Sequence, residues 1–99
     1  MSSVKRKVYQ DNDLYQARLE EVDGVLYVHV EVYQMAKSTV AILRKEFEIL
    51  KAKVRDAGYS HLFTYTTNPR FYKFFKGSSV VGNYVWQGQD YEVLTWELK

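Results

Sequence analysis

Ser38-Thr-Val-Ala-Ile-Leu-Arg-Lys-Glu-Phe47-Glu-Ile-Leu-Lys-Ala-Lys-Val-Arg-Asp-Ala57-Gly58 is the stretch whose reading decides the fold. Val40, Leu43, Phe47, Leu50, Val54 and Ala57 recur at spacings of 3, 4, 3, 4 and 3, the period of one helical face. Ser38 fits an N-cap and Gly58 a left-handed stop, so the spacing predicts a helix of about 19 residues. Lys45, Lys51, Arg55 and Asp56 fall on its solvated side. The stripe ends before three heptads, too short for a coiled coil, so it is expected to lie across a sheet.

On the N-terminal side, Asp23-Gly24 is a two-residue hairpin signal between β-rich segments. Leu14 to Val22 alternates Tyr15, Ala17 and Leu19 with Gln16, Arg18 and Glu20, the pattern of a half-buried strand. Val25 to Tyr33 puts Leu26, Val28, Val30 and Val32 on one face and Tyr27, His29, Glu31 and Tyr33 on the other. Val4 to Gln10 adds a short strand, broken by Asp11-Asn12-Asp13. On the C-terminal side, Leu62 to Thr66 reads as a strand. Asn68 and Pro69 then announce a short helix that Gly77 ends. Phe71, Phe74 and Phe75 share one side of it, and with Phe47 are assigned to the core. Arg70, Lys73 and Lys76 share the other side. Val80 to Trp86 and Tyr91 to Leu98, joined around Gln87-Gly88-Gln89, form a closing hairpin. The predicted order is β-β-β-α-β-α-β-β, an α/β (α+β) domain over residues 1–99 with a mixed, mostly antiparallel sheet.

Composition narrows the function classes. Apolar residues are 46% and charged residues 26% of 99, which describes a globular chain of one domain. Nine Tyr, five Phe and two Trp stand against one Pro and five Gly, so large rings are expected to build much of the core. With no cysteine, a disulfide scaffold, a thiolate zinc site and a cysteine nucleophile are excluded. Two histidines, His29 and His61, have no carboxylate at zinc-site spacing, so no metal site is expected. Gly77-Ser-Ser-Val-Val-Gly82-Asn83 lacks the Lys-Ser/Thr of a phosphate-binding loop. No window approaches the roughly 18 apolar residues of a membrane span, and Met1-Ser-Ser-Val-Lys-Arg-Lys lacks the apolar stretch of a signal peptide. A cytoplasmic protein with no membrane partner is the expectation. Net charge is +2, too small on its own to imply nucleic acid. The positive excess sits in the second half, around Arg70, Lys73 and Lys76.

A hairpin, a long helix leading to a strand, a short helix after Asn and a terminal hairpin resemble the core of the GNAT acetyltransferase superfamily. The resemblance is strongest over residues 47–98, where Phe47 through Gly58 to Asn68 looks like the family's helix, Gly, strand and Asn. The chain is especially similar to small acetyltransferase-like proteins of tailed bacteriophages, in the helix-strand-Asn-aromatic run and the terminal aromatic hairpin. The likeness implies a GNAT-like domain truncated before the family's first strand and first helices, elements that normally help shape the acceptor pocket.

The resemblance also implies where acetyl-CoA would bind. Family members cradle its pyrophosphate in a Gln/Arg-x-x-Gly-x-Gly/Ala turn at the helix N-terminus. The matching stretch here is Gln34-Met-Ala-Lys37-Ser38-Thr39, with Lys37 and Thr39 in the glycine positions. Asn68 and Lys73 complete the implied cofactor contacts, Lys73 on the side where the family meets the adenosine end. A family Tyr that protonates the leaving thiolate falls seven residues after the Asn; the residue there is Phe75, which carries no proton. Tyr72, three residues earlier, lies elsewhere on the helix. His29 and Glu31 stand where the family draws a general base, and equally read as ordinary strand side chains.

These residues support three readings. The first is a phage-type GNAT-fold protein acting as a protein-binding or accessory module, with weak or absent acetyl transfer and a host or virion protein as partner. Its partner surface comprises Arg70, Lys76, Tyr84, Trp86 and Tyr91. The second is an acetyl-CoA-dependent N-acetyltransferase with a modified cradle. The third is nucleic-acid binding through Arg70, Lys73 and Lys76. An exposed edge at either terminal hairpin makes a homodimer a further expectation.

Overall fold

In the computed structural model, which describes residues 4–98, the chain runs β1 (Val4–Asp11), β2 (Tyr15–Val22), β3 (Val25–Val32), α1 (Lys37–Asp56), β4 (His61–Thr66), α2 (Pro69–Tyr72), β5 (Ser78–Trp86) and β6 (Gln89–Glu97). Residues 1–3 and 99 of the expected domain lie outside the described residues. The strands form one mixed sheet in the order β1-β2-β3-β4-β6-β5. Each neighbouring pair is antiparallel except β3 and β4, whose parallel pairing is carried at Tyr27 opposite Phe63.

Two tight turns fix the antiparallel registers. Asp23 (φ 51°) and Gly24 (φ 85°) both adopt positive φ, as do Gln87 (φ 50°) and Gly88 (φ 76°). That geometry matches the right-handed twist of the strands it joins. Val22 therefore pairs with Val25, and Trp86 with Gln89. The second turn is thus two residues long, and Gln89 already belongs to β6.

The α1 stripe packs on one face of the sheet. Leu43, Phe47, Leu50 and Val54 are buried against Ala17, Leu26, Val28, Leu62, Leu94 and Trp96. Burying each aliphatic side chain contributes about 1.5–3 kcal/mol. The helix starts earlier than its sequence suggests: Ala36 is the N-cap, and no side chain caps the helix. Ser38 is therefore inside the first turn. Ala57 is exposed, because the helix ends at Asp56 and Gly58 (φ 101°) turns the chain away. The Tyr59 hydroxyl then donates to Glu21, tying the α1–β4 connection to β2.

The second helix corrects another expectation. Only Pro69–Tyr72 is α-helical, so the register assumed for Phe71, Phe74 and Phe75 does not persist. Phe75 is buried, Phe71 is half-buried, and Phe74 is exposed beneath Arg44, which donates to the Phe74 carbonyl. Tyr72 takes the core position instead and touches Phe75 and Trp96. Trp96, at 1% exposure, closes the cluster: its ring meets Phe47, and its Nε1 donates to the Phe75 carbonyl at 3.2 Å.

Trp96→Ala should therefore cost about 3–5 kcal/mol, whereas Ile49→Ala, on the exposed side of α1, should change stability by less than about 0.5 kcal/mol. Urea denaturation checks both, with the midpoint moving at an unchanged slope.

Candidate functional site

Both helices pack on the same face, so among the described residues the opposite face of the sheet has no second layer. Its residues are set by the pleat: Arg6 on β1, Arg18 and Glu20 on β2, and Tyr27, His29 and Glu31 on β3. β4 adds His61, Phe63 and Tyr65, and the terminal hairpin adds Tyr84, Trp86 and Tyr91. The rings form an unbroken row. His61 meets Phe63 at 6.1 Å between centroids, Phe63 meets Tyr27 at 5.9 Å, and Tyr27 meets Tyr65 at 5.5 Å. Tyr65 continues to Tyr91 at 6.3 Å, and Tyr91 to Tyr84 at 5.1 Å and Trp86 at 6.4 Å.

A polar cluster flanks this row on its β2 side. Glu20 is 9% exposed, although the alternation of β2 reads it as a solvated side chain. Arg6 Nε donates to its Oε2 at 2.9 Å, and the Tyr65 hydroxyl reaches over β3 to donate to Oε1 at 3.1 Å. His29 stacks edge-on against Tyr65 at 4.5 Å. Its Nε2 comes to 3.6 Å from Glu20 Oε1, outside hydrogen-bonding distance, and is buried with no other partner among the described residues. A hollow of about 420 Å3 lies over the cluster, bounded by Arg6, Val8, Arg18, Glu20, His29 and Tyr65.

Electrostatics follow from that packing. Burial pushes the Glu20 carboxyl up, but the hydrogen bonds from Arg6 and Tyr65 and the attraction of His29 and Arg6 outweigh it and hold Glu20 below the ordinary carboxylate range. Burial lowers His29, and the attraction of Glu20 restores only part of that shift. Tyr65 is pushed up to about 12 by burial and by its bond to Glu20. The cluster therefore holds an ionised carboxylate, a neutral imidazole and a protonated phenol at neutral pH. Glu31 shares the face with His29 but is exposed. The carboxylate brought to His29 is Glu20, which sequence spacing did not single out because its partners lie on β1 and β4.

A second concavity lies on the helix side, next to the β3–β4 seam. This cleft of about 270 Å3 is lined by Val30, Val32, Met35, Thr66, Asn68, Phe71 and Tyr72. Tyr72 occupies its apex, accepting the Val30 amide on its hydroxyl at 3.3 Å. Of the expected cofactor contacts, Asn68 lines the cleft, and Lys37, Ser38 and Lys73 are exposed. Gln34 donates its side-chain amide to the Asp13 carbonyl at 3.2 Å. Thr39, at 1% exposure, faces the core and does not present its side chain at the helix N-terminus. Residue 39 falls on the buried stripe with Leu43, one turn ahead of it.

The residues expected to form one partner surface separate into two. Tyr84, Trp86 and Tyr91 stand together on the open face. Arg70 and Lys76 belong to the α2 segment, which packs on the helix side. Among the described residues no group of three or more His, Asp or Glu could hold a metal. No described helix is long and apolar enough to cross a membrane. No known protein family, curated protein or solved structure matches this chain.

Stability should fall with acid in two stages. His29 binds its proton more weakly in the folded chain than in the unfolded one, so stability is lost as pH falls below its ordinary 6.5, until the folded value is reached. Glu20 contributes stability above its ordinary 4.5, and this is lost as pH falls below that value and through the lowered folded one. His29→Gln should remove the first stage and leave the second, read from urea midpoints between about pH 8 and 3. A first stage that persists in His29→Gln would assign it to another group.

Proposed function

We propose that this chain is a protein-binding module that docks its partner on the open face of the sheet, with acetyl transfer weak or absent. The observation that carries the reading is the row of rings from His61 to Trp86, which no second layer of the described residues covers. Tyr and Trp are the residues that anchor interfaces, because each combines a large apolar area with a polar tip and few rotors. The exposed Tyr84 and Trp86 give the row an accessible end. The likeness to phage-encoded acetyltransferase-like proteins directs the choice of partner to host and virion proteins in the cytoplasm.

A photo-crosslinking residue at Thr95, on the open face, should yield a discrete protein adduct in lysate of the producing cell. The same group at Glu48, on the solvated side of α1, should yield none. Tyr84→Ser with Trp86→Ser should abolish the Thr95 adduct while leaving the melting temperature within a few degrees. Equal labelling from Thr95 and Glu48 would overturn the reading.

Acetyl-CoA-dependent N-acetyl transfer is the second reading, and the start of α1 favours it. No side chain caps that helix, so the amides of its first turn are available to an anion beside the cleft that holds Met35 and Asn68. Against it stand Tyr72 in the apex of the cleft, Thr39 in the core and the absence of a phenol at Phe75. Millimolar acetyl-CoA should leave the melting temperature unchanged. A rise at micromolar acetyl-CoA that disappears in Lys37→Glu would establish the cofactor site and reverse the order of the two readings.

A further inference from the structure

The two edges of the sheet differ in chemistry. β1 carries Lys5, Arg6 and Lys7 in succession, the charged protection that keeps an edge strand from pairing with another chain. β5, at the opposite edge, reads Ser78-Ser-Val-Val-Gly-Asn-Tyr-Val-Trp86, with neither a charge nor a proline. Val85 is 69% and Trp86 58% exposed. A register shift at Val81 interrupts the strand, leaving Gly82 to Trp86 as a regular run.

The direction of the backbone groups in that run follows from its turn. A two-residue turn with positive φ at Gln87 and Gly88 makes Trp86 and Gln89 a hydrogen-bonded pair. Alternation then turns Tyr84 and Gly82 inward to Tyr91 and Val93, and turns the amide and carbonyl of Asn83 and Val85 outward. We infer that two copies of this chain pair through β5, antiparallel about a twofold axis at Tyr84. In that register Asn83 faces the partner's Val85 and Val85 faces the partner's Asn83, so every outward group between Asn83 and Val85 finds a partner. Trp86 falls opposite the partner's Gly82. Nothing lies within 4 Å of where a Cβ would stand on Gly82, which leaves the indole room to cover that backbone. No like charges meet. The ring row runs on through Tyr84 into the second copy. β1 paired with itself about Arg6 would set Lys5 against Lys7.

Sedimentation velocity over a concentration series should show a monomer–dimer equilibrium. Asn83→Pro removes an outward amide and leaves the β5–β6 ladder intact; Val85→Lys places a charge at the edge. Each should weaken dimerisation about tenfold or more with unchanged circular dichroism. The chain has no cysteine, so Tyr84→Cys is a clean second probe. Opposed residues of a non-hydrogen-bonded pair lie about 4.5 Å apart at Cα, within disulfide reach. Tyr84→Cys should oxidise to a linked dimer far faster than Glu48→Cys. A chain that stays monomeric at millimolar concentration, association indifferent to both edge variants, or equal linking from the two cysteines would overturn the inference. A monomer whose β5 instead takes up an extended peptide of another protein would overturn it in favour of heterologous strand addition.

Discussion

The parallel seam between β3 and β4 is the constraint from which the rest of the architecture follows. Parallel neighbours cannot be joined by a tight turn, so the chain must leave the sheet after β3 and return at the far end to begin β4. α1 makes that crossing, and its stripe of Leu43, Phe47, Leu50 and Val54 has one face to bury. The short α2 returns to the same side and brings Tyr72 to the β3 backbone, where its hydroxyl accepts the Val30 amide. One face of the sheet is thereby spent on the core. The other must be satisfied by its own side chains, and the ring row with its Glu20 cluster does this.

Much of the fold is legible in the amino-acid order because it rests on local chemistry. Asp23-Gly24 specifies a turn, the 3-and-4 spacing specifies α1, and Gly58 adopts the left-handed stop its position suggests, whereas Gly77, expected to end α2, lies beyond a helix that already ends at Tyr72. What escapes local reading depends on which strand lies beside which. Glu20 looks solvated along β2 and becomes buried only because Arg6 on β1 and Tyr65 on β4 converge on it. Tyr72 and Phe74 exchange their expected environments because α2 unwinds after one turn, too short for helical spacing to govern. Thr39 joins the core because it stands one turn before Leu43 on the same helical face.

The candidate site shows the same dependence on tertiary register. His29 was legible as a polar residue on the amphipathic face of a central strand, but its carboxylate neighbour is Glu20 across the sheet. The open face consequently combines two kinds of surface. Toward β5 it is aromatic and adaptable, suited to apolar contact. Toward β1 it is a polar arrangement of an ionised carboxylate, a neutral imidazole and a protonated phenol. A partner covering both parts would meet apolar area at one end and directional hydrogen bonding at the other.

The two hairpin turns bear on how such a chain assembles. Asp23-Gly24 and Gln87-Gly88 each close a ladder between residues a few positions apart, contacts whose loop-closure entropy is small. Tyr27 and Phe63 have the whole of α1 between them, so the larger closure cost falls on the seam. The order of events this favours is two hairpins forming early, one near each end of the chain, and joining when α1 docks. Opening would run the other way, with the seam parting while both hairpins keep their registers.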